Sequence, residues 1–175
     1  LVRERFPIAS AVMEDASQAG YPQNPDYNGA TQEGFGYYQV AQKDGQRWSV
    51  YDGYLKPALS RPNLSVQTKS MVVKLEFEGK HCVGVTYQQG EQLKTVKANK
   101  EVILSAGAVQ SPQLLEVSGV GDPERLARLG ISVVHASPQV GENYRDHYAT
   151  RMNWRVKGAE TLNQTTRGLS LVRAV

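Results

Sequence analysis

Residues 101–108 read Glu-Val-Ile-Leu-Ser-Ala-Gly-Ala, an apolar run without alternation that ends in small residues. A run that is apolar on both pleat faces predicts a strand covered on both sides, the mark of a buried parallel strand. Parallel strands need crossover connections, so a chain that holds one belongs to a layered architecture with helices on the sheet faces. Small residues at the carboxyl end of such a strand let a ligand approach the backbone, where open α/β sheets bind. Ser111 and Pro112 then predict an N-cap and first-turn proline for a helix through Leu114, Leu115 and Val117. Amides leading into that helix can face a negative group. A strand-to-helix turn without a ligand has the same residue pattern, so the spacing leaves both readings open.

The rest of the composition narrows the class. With 175 residues the chain has about the length of one domain. Twenty Lys and Arg against 17 Asp and Glu leave a net charge of +3, too little to argue for nucleic acid or an anionic membrane. An apolar share of 40% with 16 glycines is ordinary globular composition and allows a sizeable core. No stretch approaches the ~20 apolar residues of a membrane helix. Cys82 is the only cysteine, which excludes a disulfide framework and a cysteine-based metal site. Its strand-like surroundings predict a packed small hydrophobe. Leu1-Val2-Arg3-Glu4-Arg5 has neither an initiator Met nor the apolar core of a signal peptide, and Leu169–Val175 stops inside an apolar run. The expectation is a piece of a longer protein. Its localisation is left open with the cytoplasm preferred.

Ile8, Val12 and Ala16 predict an amphipathic helix from Pro7 to Ala19, stopped by Gly20 and Pro22, with an ordered loop over 21–32. Gly34–Val40 reads as a strand, Asp44-Gly45 as a hairpin turn, and Ser49–Leu59 as a helix. Val66–Phe77, His81–Tyr87 and Leu93–Val96, separated by Glu78-Gly79-Lys80 and Gln89-Gly90-Glu91, predict an antiparallel meander. A second helix is expected from Asp122-Pro123 to Gly130, followed by strands at Ile131–Val134 and through Met152, Trp154 and Val156.

No GxGxxG occurs. Gly119-Val120-Gly121 runs into Asp122-Pro123-Glu124 and Gly34-Phe35-Gly36 also lacks a third glycine, so both predict close packing or turns. His81 and His135 fall in or beside strands and read as structural. Asp146-His147 could pair a carboxylate with an imidazole, although neighbours on a strand point to opposite faces. Metal-ligand spacings and the GxSxG elbow are absent. The residues by themselves describe an α+β piece able to bind a ligand.

Taken in order, these segments resemble one family, the glucose-methanol-choline (GMC) flavin oxidoreductases. Residues 105–121, Ser-Ala-Gly-Ala-Val-Gln-Ser-Pro-Gln-Leu-Leu-Glu-Val-Ser-Gly-Val-Gly, are similar almost residue for residue to that family's second signature. Asp26-Tyr27-Asn28-Gly29, Gln32-Glu33-Gly34, Gly45-Gln46-Arg47-Trp48-Ser49, Tyr54-Leu55, Pro57 and Arg61–Val66 look like its preceding blocks. Val140–His147 is similar to its VGxNLxDH stretch, with Tyr144 in place of the usual Leu. Thr161-Leu162-Asn163 and Arg167-Gly168 fit choline-dehydrogenase-like members, so the resemblance spans nearly the whole chain.

The resemblance implies an α/β plus α+β fold class: part of a Rossmann-like FAD-binding domain with an antiparallel β-meander, and part of an antiparallel-sheet substrate domain. Residues 1–60 would lie on the substrate side, 61–138 in the FAD-binding domain, and 139–175 in the returning substrate segment. It implies FAD as cofactor, with Val72 meeting the adenine end through its backbone and Ser105, Ala106 and Gly107 lying against the cofactor. The implied chemistry is oxidation of a small-molecule alcohol, a primary one giving an aldehyde, by hydride transfer to the flavin, with oxygen or another acceptor taking the electrons. The family's catalytic base and GxGxxG would lie after Val175 and before Leu1. His147 is not in the catalytic position, and no catalytic residue or metal ligand is assigned here. Two alternatives accompany this reading: a non-catalytic truncated or binding fragment of the same fold, and a relative acting as a hydroxynitrile lyase. Asn63-Leu64-Ser65 and Asn163-Gln164-Thr165 would accept glycans only in a secreted protein. Oligomeric state is left open.

Overall fold

Glycine placement explains the best-formed element. In the computed structural model, which describes residues 6–150, 152–159 and 161–166, Gly79 and Gly90 each stand first in a two-residue turn, with φ of 61° and 62°. That is the positive φ a II′ hairpin requires at its first central position. The turns join β3 (Met71–Glu78), β4 (His81–Gln89) and β5 (Gln92–Lys97) into an antiparallel sheet of order β3-β4-β5, the expected meander. Leu75, Val85 and Val96 stand in register across it. Gly84 accepts the close approach of β5, where a Cβ would collide with the carbonyl oxygen of Val96.

Helix α3 (Gly107–Val117) packs on β3. It begins earlier than expected. Gly107, at φ +92°, turns the chain into the helix after Ala106, and Ser111 and Pro112 lie inside it rather than at its cap. Pro112 lacks the N–H that would have bonded the Ala108 carbonyl. One hydroxyl bolts helix to sheet: the buried Leu75 N–H donates to Ser118 Oγ at 2.8 Å, and Ser118 donates to the Leu114 carbonyl at 2.6 Å.

The expected strand at 102–105 has no ladder partner among the described residues. Val102 and Leu104 turn toward a cavity of about 370 Å³ shared with Leu75, Cys82 and Leu115, whereas Ile103 between them is 78% exposed. The two-sided apolarity demands cover on both faces, and these residues supply it on one. For the same reason the core is smaller than composition allows: among the described residues Leu75, Leu114 and Leu126 are the buried apolar side chains.

Beyond α3, β6 (Val120–Gly121) and β7 (His135–Ala136) pair in parallel across α4 (Pro123–Arg128). Asp122 caps α4 by accepting the Arg125 N–H at 2.8 Å, as its Asp-Pro start predicts, and Leu126 is fully buried. The strand expected at Ile131–Val134 is displaced to His135, because the Val134 and His135 N–H groups both reach the Gly119 carbonyl and bend the approach. A Cβ on Gly119 would stand 2.5 Å from the Ser132 carbonyl oxygen, which is the close packing expected there.

The chain divides into two compact units, Ser65–Ala149, which holds everything above, and Leu1–Leu64 with Thr150–Val175. In the second unit, α1 (Pro7–Gln18) matches expectation. So does the hairpin of β1 (Gln42–Lys43) and β2 (Gln46–Arg47), whose turn residues Asp44 and Gly45 both have positive φ. The strand expected at Gly34–Val40 reduces to one bridge between Gln23 and Phe35. A Cβ on Gly34 would stand 2.5 Å from the Pro22 carbonyl oxygen, so this glycine serves a packed loop and not a ladder. Buried Asn24 organises that loop, donating to the Thr31 and Glu33 carbonyls and accepting the Asp26 N–H. The helix expected over Ser49–Leu59 forms as a wide π-type turn, Tyr51–Leu55, running into a single turn, α2 (Lys56–Ala58). Residues 152–156 form no strand, and Trp154 is 80% exposed. Helix α5 (Leu162–Thr165) follows. The N-terminal Leu1–Arg5, Arg167-Gly168 and the C-terminal run 169–175 lie outside the described residues.

Candidate functional site

Where β3 leaves the preceding loop, it and the neighbouring end of β4 form one wall of an open groove of about 970 Å³, and α3 forms the other. Helical spacing builds the α3 wall: Gln110, Gln113, Leu114 and Val117 share a face, with Ala106 just before the helix. The opposite wall is backbone-rich. β3 is an edge strand of its sheet, and its register shifts between Val72 and Lys74, so Val73 falls out of the ladder within the groove. A bulge on an edge leaves main-chain N–H and C=O groups available to a ligand. Leu114 and Val117 give the groove an apolar floor, and Ser70, Gln88, Gln110 and Gln113 give it neutral hydrogen-bonding groups. Among the described residues no carboxylate lines it, and Lys69 is its one charged side chain. Lys69 also adopts the left-handed backbone region at φ 54°, which costs a non-glycine residue ~1–2 kcal/mol.

The structure brings two of the four sequence-expected residues together here. Val72 and Ala106 line the groove from opposite walls, whereas Ser105 and Gly107 flank Ala106 in the chain without lining it. Lys69, Gln88, Gln110 and Gln113 were missed. The glutamines lie four and seven residues beyond Ala106, a helical repeat that would have exposed them; Gln88 follows from its register opposite Met71. Nothing in the sequence marks the φ of Lys69.

Away from the groove, Arg125 clasps three pieces of chain. Its guanidinium pairs with Glu116 at 2.8 Å and with Glu142, which raises the Arg125 pKa above its ordinary value, through the hydrogen bond to Glu142 first and that to Glu116 second. Gly141, at φ +79°, lies against the same pair of side chains. The Asp146 carboxylate accepts the main-chain N–H of His147 at 2.7 Å, so the contact it makes is with the backbone rather than the imidazole ring. His81 and His135 are exposed in β4 and β7. Among the described residues no group of three His, Cys, Asp or Glu could hold a metal, and no helix is long and apolar enough to cross a membrane.

Residues 2–149 match the family described as GMC oxidoreductase. The chain belongs to that family. Human mitochondrial choline dehydrogenase is 48% identical to this GMC chain over 145 residues, which cover 83% of the chain and 24% of that protein. The oxygen-dependent choline dehydrogenase of Chromohalobacter salexigens is 45% identical over 152 residues, 86% of this chain and 27% of its own. Among solved structures, pyridoxine 4-oxidase from Mesorbium loti superposes with a TM-score of 0.72 at 28% identity, covering 79% of this chain and 27% of that one. An FAD-dependent oxidoreductase from Chaetomium thermophilum gives 0.70 at 28% identity, covering 77% and 24%. The GMC chain thus spans about a quarter of the length of the relatives it matches. The resemblance drawn from the signature at 105–121 and the mixed α/β fold class it implied are both borne out.

Proposed function

We propose that this GMC segment is the central part of an FAD-dependent alcohol oxidoreductase and that its groove holds the adenylate half of the flavin cofactor. The observation that carries the reading is the groove's donor set: edge-strand backbone at Val72, a small residue at Ala106 facing it, neutral amides around them, and, among the described residues, no carboxylate. These residues fit a flat heterocycle joined to phosphate, which asks for main-chain hydrogen bonds, an apolar floor and no negative charge nearby. Val72 would meet the adenine through its backbone, and Ala106, with Ser105 and Gly107 beside it, would let the cofactor lie close to the chain. Residues 61–138 then serve the FAD-binding domain, and 1–60 and 139–175 the substrate side.

FAD, when bound, supplies the two-electron acceptor for the alcohol's hydride. The substrate we infer is a small primary alcohol of the choline type, supported by the names of the relatives at 45–48% identity. This chain's part is to bind and orient; no residue in it is assigned as the base that takes the alcohol proton. The test is to purify the complete protein carrying this segment, release its flavin by denaturation, and follow reduction of a dye acceptor with choline and with simple primary alcohols. Released FAD with alcohol-dependent dye reduction is the expected result. A protein that carries and rebinds no flavin would refute the cofactor reading, and one that holds FAD but oxidises no alcohol would refute the substrate reading alone.

A further inference from the structure

We infer that Lys69 is a cofactor-binding residue whose ammonium group holds a phosphate of the adenylate half, an inference that rests on the FAD reading above. Three independent features of the residue converge. It lines the groove two residues before the edge strand that carries Val72, and among the described residues it is the groove's one charged group. Its side chain makes no hydrogen bond or ion pair among the described residues. Its backbone sits at φ 54°, in the left-handed region where glycine is the unstrained choice.

Strain of this kind persists where the surroundings impose it, and it gathers at ligand clamps. Lys69 differs from Asp44 in what holds it there. Asp44, the first of the non-glycine residues with positive φ, belongs to a tight hairpin turn that demands it. Lys69 lies in no such turn: the Ser70 hydroxyl reaches back to the Thr68 carbonyl at 3.1 Å, and β3 starts at Met71. A flexible cation on a four-carbon stem, with no carboxylate among the described residues to neutralise it and beside a groove that fits adenosine, has the chemistry of a phosphate contact made as a point charge. The amides of Gln110 and Gln113 on the facing wall can donate to the same anion but carry no charge, so the salt-dependent part of its binding falls to Lys69.

The test uses the complete protein freed of flavin, titrated with FAD and with riboflavin, which lacks both phosphates of the dinucleotide, in about 50 mM and about 500 mM salt. Lys69→Gln removes the charge and keeps the backbone strain; Lys69→Arg keeps both; Lys69→Gly removes both. An exposed single ion pair predicts that Lys69→Gln weakens FAD binding about fivefold at low salt. The difference should shrink toward nothing at high salt, with riboflavin unchanged and Lys69→Arg close to the parent. Lys69→Gly should lose the same affinity while melting at a higher temperature, which separates charge from strain. Equal FAD affinity and salt slope in Lys69→Gln and the parent would overturn the assignment. So would a loss of equal size at both salt concentrations, or one shared by riboflavin, because either would mark a structural effect. An unsubstituted protein that binds no FAD would instead overturn the cofactor reading on which the inference stands.

Discussion

Replacing Ser118 by alanine tests the packing that forms the groove. The side chain is 4% exposed and serves two partners, accepting the N–H of Leu75 at 2.8 Å and donating to the carbonyl of Leu114 at 2.6 Å. Alanine leaves the Leu75 N–H without a partner on a residue that is itself 4% exposed, out of reach of water. An orphaned buried donor costs about 1–3 kcal/mol, and losing the second bond adds up to about 1 kcal/mol. The sum, about 1–4 kcal/mol, corresponds to a factor of about 5 to about 900 in local opening. Hydrogen exchange followed by mass spectrometry on the peptide spanning β3 in the complete protein reads this directly. Exchange at that peptide should accelerate by that factor in Ser118→Ala, while peptides from α1 should be unchanged. Ser118→Thr keeps the hydroxyl and should lose much less protection. Unchanged exchange across β3 in Ser118→Ala would refute the reasoning, since it would mean that the hydroxyl does not join strand to helix.

Three further outcomes are expected. Gly119→Ala combines φ +92° with a Cβ placed 2.5 Å from the Ser132 carbonyl oxygen and 2.8 Å from Val134 Cγ2; it should destabilise the protein by about 2–4 kcal/mol, measured by urea unfolding. Arg125→Met should speed amide exchange over 139–143 without touching β3, because it releases Glu142 from α4. The Asp52 carboxyl is held below the ordinary aspartate range, first by the Ser49 hydroxyl and then by the Ser49 N–H. A depressed carboxylate contributes fully above the unfolded value, near pH 4, and its contribution is lost as pH falls through the lower folded value. Ser49→Ala should therefore move the Asp52 titration back up toward the ordinary aspartate range, as followed by NMR of the carboxyl carbon.

How much was legible in the sequence depended on whether a residue's role is local. Gly79 and Gly90 announce the meander because a two-residue turn demands positive φ whatever surrounds it, and Asp122-Pro123 announces α4 because the cap is made within four residues. The family signature at 105–121 identified the whole region, since Ser118, Gly119 and Leu126 meet their partners inside one packed unit. Misreadings arose where a pattern has two causes. Ser111-Pro112 has the residues of a helix start yet lies within α3, because Gly107 had already turned the chain. Gly34 and Gly36 looked like strand glycines but admit the Pro22 and Asn24 carbonyls of a packed loop. Val102–Ser105 carries the apolarity of a two-sided strand, and apolarity reports the cover a segment requires without naming what provides it. In the groove, Val72 and Ala106 were reachable through the resemblance, whereas Lys69 was hidden because its distinguishing property is a torsion angle.

The Ser118 bridge also sets how the groove can deform. Leu75 lies three residues along β3 from Val72, about 10 Å in an extended strand, so the two walls are stitched at one end and unstitched at the other. They behave like two pages sewn along a spine. Small rotations about the stitching would widen the mouth near Lys69 and Gln88 and leave the spacing at Leu114 nearly unchanged.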